Sequence, residues 1–128
     1  MNPGIEGKAY PPVSFRVDPD RVRAFRACVG VAEGVPPTFA TAAEFTVFPT
    51  VIADPELDLD LRRVVHGSQE YVYARPLEEG ETLTVRTRIE SIRMRAGSGF
   101  LTLVTQLEAT DGAVVCTARA LLIERGEP

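Results

Sequence analysis

Hydrophobic and polar positions along this chain follow two different periods. Near the start, Val13, Phe15 and Val17 alternate with Ser14 and Arg16, which predicts a short strand with one buried face. Asp18-Pro19-Asp20 follows. It offers an N-cap acceptor, a proline where the helix needs no amide donor, and an acid in the first turn. Val22, Phe25, Cys28 and Val29 then recur at helical spacing up to Gly30, the predicted end of that helix. From Pro36 to Phe45 nearly every residue is small or apolar, and Glu44 is the only charge before Asp54. A helix with no broad polar face is buried on most sides. Pro36 and Pro37 suit its first turn, and Pro49 is expected to bend or end it. The stretch Asp54 to Leu61 reads as a short connecting element.

Beyond Val64 the period becomes two. Residues 69–74 have strand propensity, and Pro76 to Gly80 turns the chain. Leu83, Val85, Thr87 and Ile89 alternate with Thr84, Arg86, Arg88 and Glu90. The apolar phase then slips to Ile92 and Met94, which predicts a one-residue bulge at Glu90-Ser91. Ala96-Gly97-Ser98-Gly99 is the expected turn and Phe100–Ala109 the next strand. Asp111-Gly112 closes a hairpin with a last strand over Ala113–Ile123. The fold class is therefore α+β, with a buried helix against a largely antiparallel sheet.

Composition narrows the functional classes. The chain has 128 residues, with no repeat and no compositional break, so residues 1–128 read as one domain. A net charge of −4 argues against nucleic acid, whose phosphates call for a basic face. No apolar run approaches the roughly 20 residues of a membrane helix. The N-terminus lacks the basic-then-apolar pattern of a secretory signal, and a cytoplasmic location is expected. One histidine and two separated cysteines make a Cys/His zinc site untenable. Cys28 and Cys116 sit in apolar segments and are expected to be free, buried thiols. No cofactor is called for.

Three blocks of sequence then point to a family. Pro36-Pro37-Thr38-Phe39 resembles the opening of the central helix in MaoC-like dehydratases. The run Leu59 to Tyr71, containing His66-Gly67-Ser68-Gln69, resembles the LHGEQ-F segment of their N-terminal-type subfamily, which is akin to the FAS1 dehydratase region. Arg75-Pro76-Leu77 followed by Gly80-Glu81-Thr82-Leu83 resembles the turn and strand after it. The resemblance spans about Val13 to Ile123. It implies a hotdog fold, a long antiparallel sheet wrapped around the buried helix. It also implies work on acyl thioesters of coenzyme A or acyl carrier protein. The family reaction is reversible hydration of a trans-2-enoyl thioester to its (R)-3-hydroxyacyl form.

Active members place an Asp and a His just before the central helix, where the two converge on one water. Here that connection is Gly30-Val31-Ala32-Glu33-Gly34-Val35, with neither residue type. The leading expectation is thus an accessory, non-catalytic subunit of a hydratase or dehydratase. It would lend acyl-chain binding and dimer stability to a dyad-bearing MaoC-like partner. Dimers are expected because bare edges of long strands invite pairing.

Two alternatives stand beside it. One is a self-sufficient homodimeric hydratase or thioesterase using Glu44, Glu33 or His66. A buried Glu44 would have a raised pKa suited to acid catalysis, yet it can equally face solvent or pair with arginine. Glu33 reads equally as a solvated loop acid, and His66 as a strand-start residue bonded to backbone. The other alternative is an acyl-thioester-binding scaffold without catalysis. For substrate binding, the amides of Thr38 and Phe39 are candidate donors to a carbonyl oxygen, because two prolines precede them. Phe45 and Phe48, with Val51 and Ile52, line either an acyl tunnel or the core. Gln69 and Glu70 fall on opposite strand faces, so only one can join His66.

Overall fold

Five antiparallel strands in the order β1-β3-β4-β5-β2 form the sheet in the computed structural model, which describes residues 1–127. They are β1 (Val13–Arg16), β2 (Val64–Tyr73), β3 (Thr82–Arg95), β4 (Ser98–Glu108) and β5 (Val114–Glu124). Helix α1 (Pro19–Val29) begins as its sequence dictates. The Asp18 side chain accepts from the Asp20 amide, and Gly30 ends the helix in the left-handed region at φ 73°, where a residue without Cβ is favoured.

The central helical segment is broken. A 3-10 turn (Pro37–Phe39) leads into α2 (Ala40–Glu44), and α3 (Phe48–Ile52) follows after an irregular turn. The break precedes Pro49, which sits inside the first turn of α3 instead of ending the helix. Phe39, Ala40, Ala43, Val47, Phe48 and Val51 of this segment bury their side chains against Leu83, Val85 and Ile89 of β3 and Leu101, Leu103 and Leu107 of β4. Regular alternation on β3 and β4 carries this core, since every second side chain reaches the same face. The bulge lies between Ile89 and Ser91, as the phase slip requires, and Ile92 is buried.

Three expectations are corrected. The β3–β4 turn is only Ala96-Gly97, with φ 49° and 78°, the positive pair of a two-residue hairpin. Met94 is 51% exposed because it stands one residue pair from the end of that ribbon. On α1 only Val22 is fully buried, while Cys28 and Val29 are exposed. The helix leans on the core through Val22 and Phe25, whose ring meets Phe39 edge-on at 5.5 Å, so its last turn faces water.

The two edges of the sheet differ. Beside β3, the four-residue β1 is extended by the N-terminal segment, with Gly7, Lys8 and Tyr10 exchanging backbone hydrogen bonds with Ile89 and Thr87. Lys8 and Tyr10 anchor that segment on Asp54, at 2.7 and 2.9 Å. At the opposite edge, the ten-residue β2 pairs only with β5. Among the described residues, its outer backbone groups have no strand partner.

Candidate functional site

The site is built by a second bulge, at Gly67. Side chains alternate across a strand, so His66 and Gln69 would ordinarily face opposite ways. The register instead shifts between His66 and Ser68. His66, Gln69, Tyr71 and Tyr73 thereby share one face, opposite Leu122, Ala120, Ala118 and Cys116. Glycine suits this position: a Cβ on it would lie 2.8 Å from Cδ1 of Ile123. Small residues on β5 leave room for the larger side chains of β2, which reach across to the central helix.

What they reach is polar. Gln69 Nε2 donates to both oxygens of Glu44, at 3.1 and 3.2 Å. Tyr71 Oη donates to Oε1 of Glu44 at 2.8 Å and is also hydrogen-bonded to Thr41 Oγ1. The Tyr73 hydroxyl donates to the carbonyl of Pro37. Residues 69, 71 and 73 of the strand thus meet residues 44, 41 and 37 of the helical segment in reverse order. Two residues of strand rise (~6.6 Å) are close to one helical turn (~5.4 Å), so the two spacings stay in step.

Glu44 is 1% exposed. Burial raises its pKa, opposed by the hydrogen bonds from Tyr71 and Gln69 and by the charge of His66. Burial likewise raises the phenols of Tyr71 and Tyr73 and pushes the Cys116 thiol up to about 11.

The remaining candidates make no hydrogen bond to Glu44. His66 is exposed and its Nε2 hydrogen-bonds the carbonyl of Ser68. Glu33 is exposed in the connection ahead of the central helix. Of the two candidate amides, that of Phe39 donates to the Pro36 carbonyl at 2.9 Å and is not free for a ligand. Thr38 is exposed. Phe39 and Phe45 line a groove of about 440 Å³ between α1 and the central helix, together with Arg21, Phe25, Cys28 and Thr41. Phe45 also borders a second groove with Phe48 and Ile52. Phe45 is 57% exposed, on the one side of the helical segment that faces solvent, whereas Phe48 is buried. The expectation that both cysteines are buried holds for Cys116 and fails for Cys28. Among the described residues there is no cluster fit for a metal ion, and no helix is long and apolar enough to cross a membrane.

The sequence pattern alone does not predict the contact set Gln69-Tyr71-Tyr73. Its only trace is the row of hydrogen-bonding side chains at every second position of β2, facing Cys116, Ala118 and Ala120 on β5.

A five-stranded antiparallel sheet holding a central helix, with this strand order, is the hotdog fold of the MaoC-like dehydratases. The structure is similar to a MaoC-like dehydratase from Phytophthora capsici, with a TM-score of 0.79 and 18% identity, covering 98% of this chain and 50% of that one. It is equally similar to a chain of the truncated HadBC (3R-hydroxyacyl-ACP dehydratase) complex from Mycobacterium tuberculosis. There the TM-score is 0.79 and the identity 23%, covering 93% and 96% of the two chains. In sequence it is 33% identical to a UPF0336 protein of Saccharopolyspora erythraea, over 94% of this chain and 88% of that protein. The family model for the FAS1-like dehydratase domain region matches residues 32–118, and the chain belongs to that family.

Proposed function

We propose that this chain is an accessory subunit of an (R)-specific enoyl-thioester hydratase or 3-hydroxyacyl-thioester dehydratase. One observation carries the reading. The connection between α1 and the central helix, Gly30 to Pro36, contains no Asp and no His. Hydration needs one group to take a proton from water and another to deliver one to the substrate, both within hydrogen-bond reach of the same water. The one histidine of the chain is exposed and bonded to Ser68, and Glu44 has no imidazole among its hydrogen-bond partners.

The partner is a second hotdog chain that bears the dyad. It pairs along β2, the long edge that has no strand beside it among the described residues. In that pair, the groove beside Phe39 and Phe45 lends apolar wall to the acyl chain of a thioester carried on coenzyme A or acyl carrier protein. The shared fold supports this assignment without fixing the chemistry.

The test is turnover. The purified chain is expected to leave a crotonyl thioester unhydrated, whereas the chain co-expressed with a dyad-bearing hotdog subunit hydrates it. Robust hydration by the chain alone, abolished by Glu44→Gln, defeats the reading in favour of a self-sufficient enzyme.

A further inference from the structure

Helix and sheet meet elsewhere in this protein through apolar side chains; beneath β2 they meet through hydrogen bonds. Three successive inward positions of that strand, Gln69, Tyr71 and Tyr73, each bond to the central helical segment. Glu44 takes three of these bonds on two oxygens. Its carboxylate sits where the helix breaks, directly before the irregular turn that leads to α3. β2 has a strand neighbour on one side only, and Val65 and Val72 on its outer face are 43% and 56% exposed. An edge strand held by one ladder frays readily, and a frayed edge is a poor template for pairing.

From this arrangement we infer that Glu44 is the positioning residue of β2. It clamps the strand to the central helix, so that the free edge is already in register when a second hotdog chain adds to it. The inference rests on the accessory-subunit reading for the identity of the partner, but the clamp itself does not. The selectivity comes from geometry. A carboxylate accepts from both donors at once, charge-assisted hydrogen bonds are the stronger kind, and a buried donor deprived of its acceptor is costly. Removing Glu44 therefore strips Gln69 of its acceptor and leaves Tyr71 only Thr41 to donate to, while the β3–β4–β5 ladders lose nothing. A strand held in place before docking also spares the ordering cost of association.

The experiment compares wild-type chain with Glu44→Leu, Glu44→Gln and Tyr71→Phe. Tyr71→Phe keeps the ring and serves should the leucine variant not fold. Amide hydrogen exchange is read for residues 64–73 against 98–108. Pairing is read by sedimentation, for the chain alone and for the chain co-expressed with a dyad-bearing hotdog subunit. Glu44→Leu and Tyr71→Phe are expected to speed exchange in β2 by about tenfold or more, with β4 unchanged, and to weaken pairing by a similar factor. Glu44→Gln, whose carbonyl still accepts from Tyr71, is expected to retain much of both. Exchange in β2 that stays at its wild-type rate in both Glu44→Leu and Tyr71→Phe overturns the assignment of Glu44. Faster exchange with undiminished pairing overturns the link to docking. A wild-type chain that pairs with nothing overturns the accessory-subunit reading instead, while the exchange result still decides the clamp.

Discussion

The Tyr71 hydroxyl lies 2.8 Å from Oε1 of Glu44, and together with Gln69 it ties the open edge strand to the one carboxylate of the central helix. With Glu44 ionised, Tyr71 spends its proton on that carboxylate and Thr41 donates to the phenol oxygen. With Glu44 protonated, the polarity of the chain can reverse.

A pH dependence follows from the same contact. Burial is the largest influence on Glu44 and raises its pKa, so the native state holds this proton more tightly than the unfolded chain does. The stabilisation linked to Glu44 is then complete below the ordinary glutamate value and is lost as pH rises through the raised value of the folded state. Glu44→Gln removes that titration. Urea unfolding at a series of pH values should show the wild type losing stability relative to Glu44→Gln as pH climbs from acid to neutral. A difference that is flat with pH, or that grows in favour of the wild type, contradicts the raised pKa.

Much of the fold is legible in the residues. Asp18-Pro19 and Gly30 bound α1 because capping is local chemistry, and the bulge at Glu90 shows because a period of two exposes any slip. The bulge at Gly67 leaves no such trace. β2 presents polar residues on both faces, so its phase is set by the neighbours Leu121 and Ile123 and not by an apolar pattern. The burial of Glu44 is open in the sequence for the same reason: its partners Gln69 and Tyr71 come from a strand some 25 residues away. Cys28 misleads because helical spacing names a face without saying how far along the helix the core extends.

The bulge itself predicts a substitution effect. In Gly67→Ala the new methyl would meet Ile123 Cδ1 at 2.8 Å and Leu121 Cδ2 at 3.3 Å. These are flexible side-chain ends, so the strand survives with a cost of about 1–2 kcal/mol. Trimming the obstacle should relieve it: Gly67→Ala combined with Ile123→Val is expected to be less destabilised than the sum of the single changes. Additive losses in denaturant melts count against this contact.

A buried hydroxyl pair crosses the middle of the sheet. Thr87 and Thr105 face each other in register, with their Oγ1 atoms 2.8 Å apart and both side chains inaccessible. Thr105→Val orphans the Thr87 hydroxyl, which costs about 1–3 kcal/mol. Replacing both by valine removes donor and acceptor together and should recover most of that loss. The double-mutant cycle measured by urea unfolding checks it. A double variant as unstable as the two single losses combined shows that the pair is not coupled.

The two thiols are expected to differ sharply in reactivity. Thiolate, not thiol, attacks a disulfide reagent, so both access and pKa govern the rate. Cys116 is buried on β5 beneath Tyr73, and burial pushes its pKa up to about 11. At neutral pH it is therefore both protonated and shielded. Cys28 is exposed on the last turn of α1, at the rim of the groove shared with Phe39 and Phe45. Titration with an aromatic disulfide reagent should release one equivalent promptly from the native chain. The second equivalent should appear only in denaturant, and Cys28→Ser should abolish the prompt phase. An acyl chain or partner subunit that occupies the groove would slow that phase, so its rate also reports on the accessory-subunit reading. Two prompt equivalents from the native chain would mean that β5 is not shielded as the sheet requires.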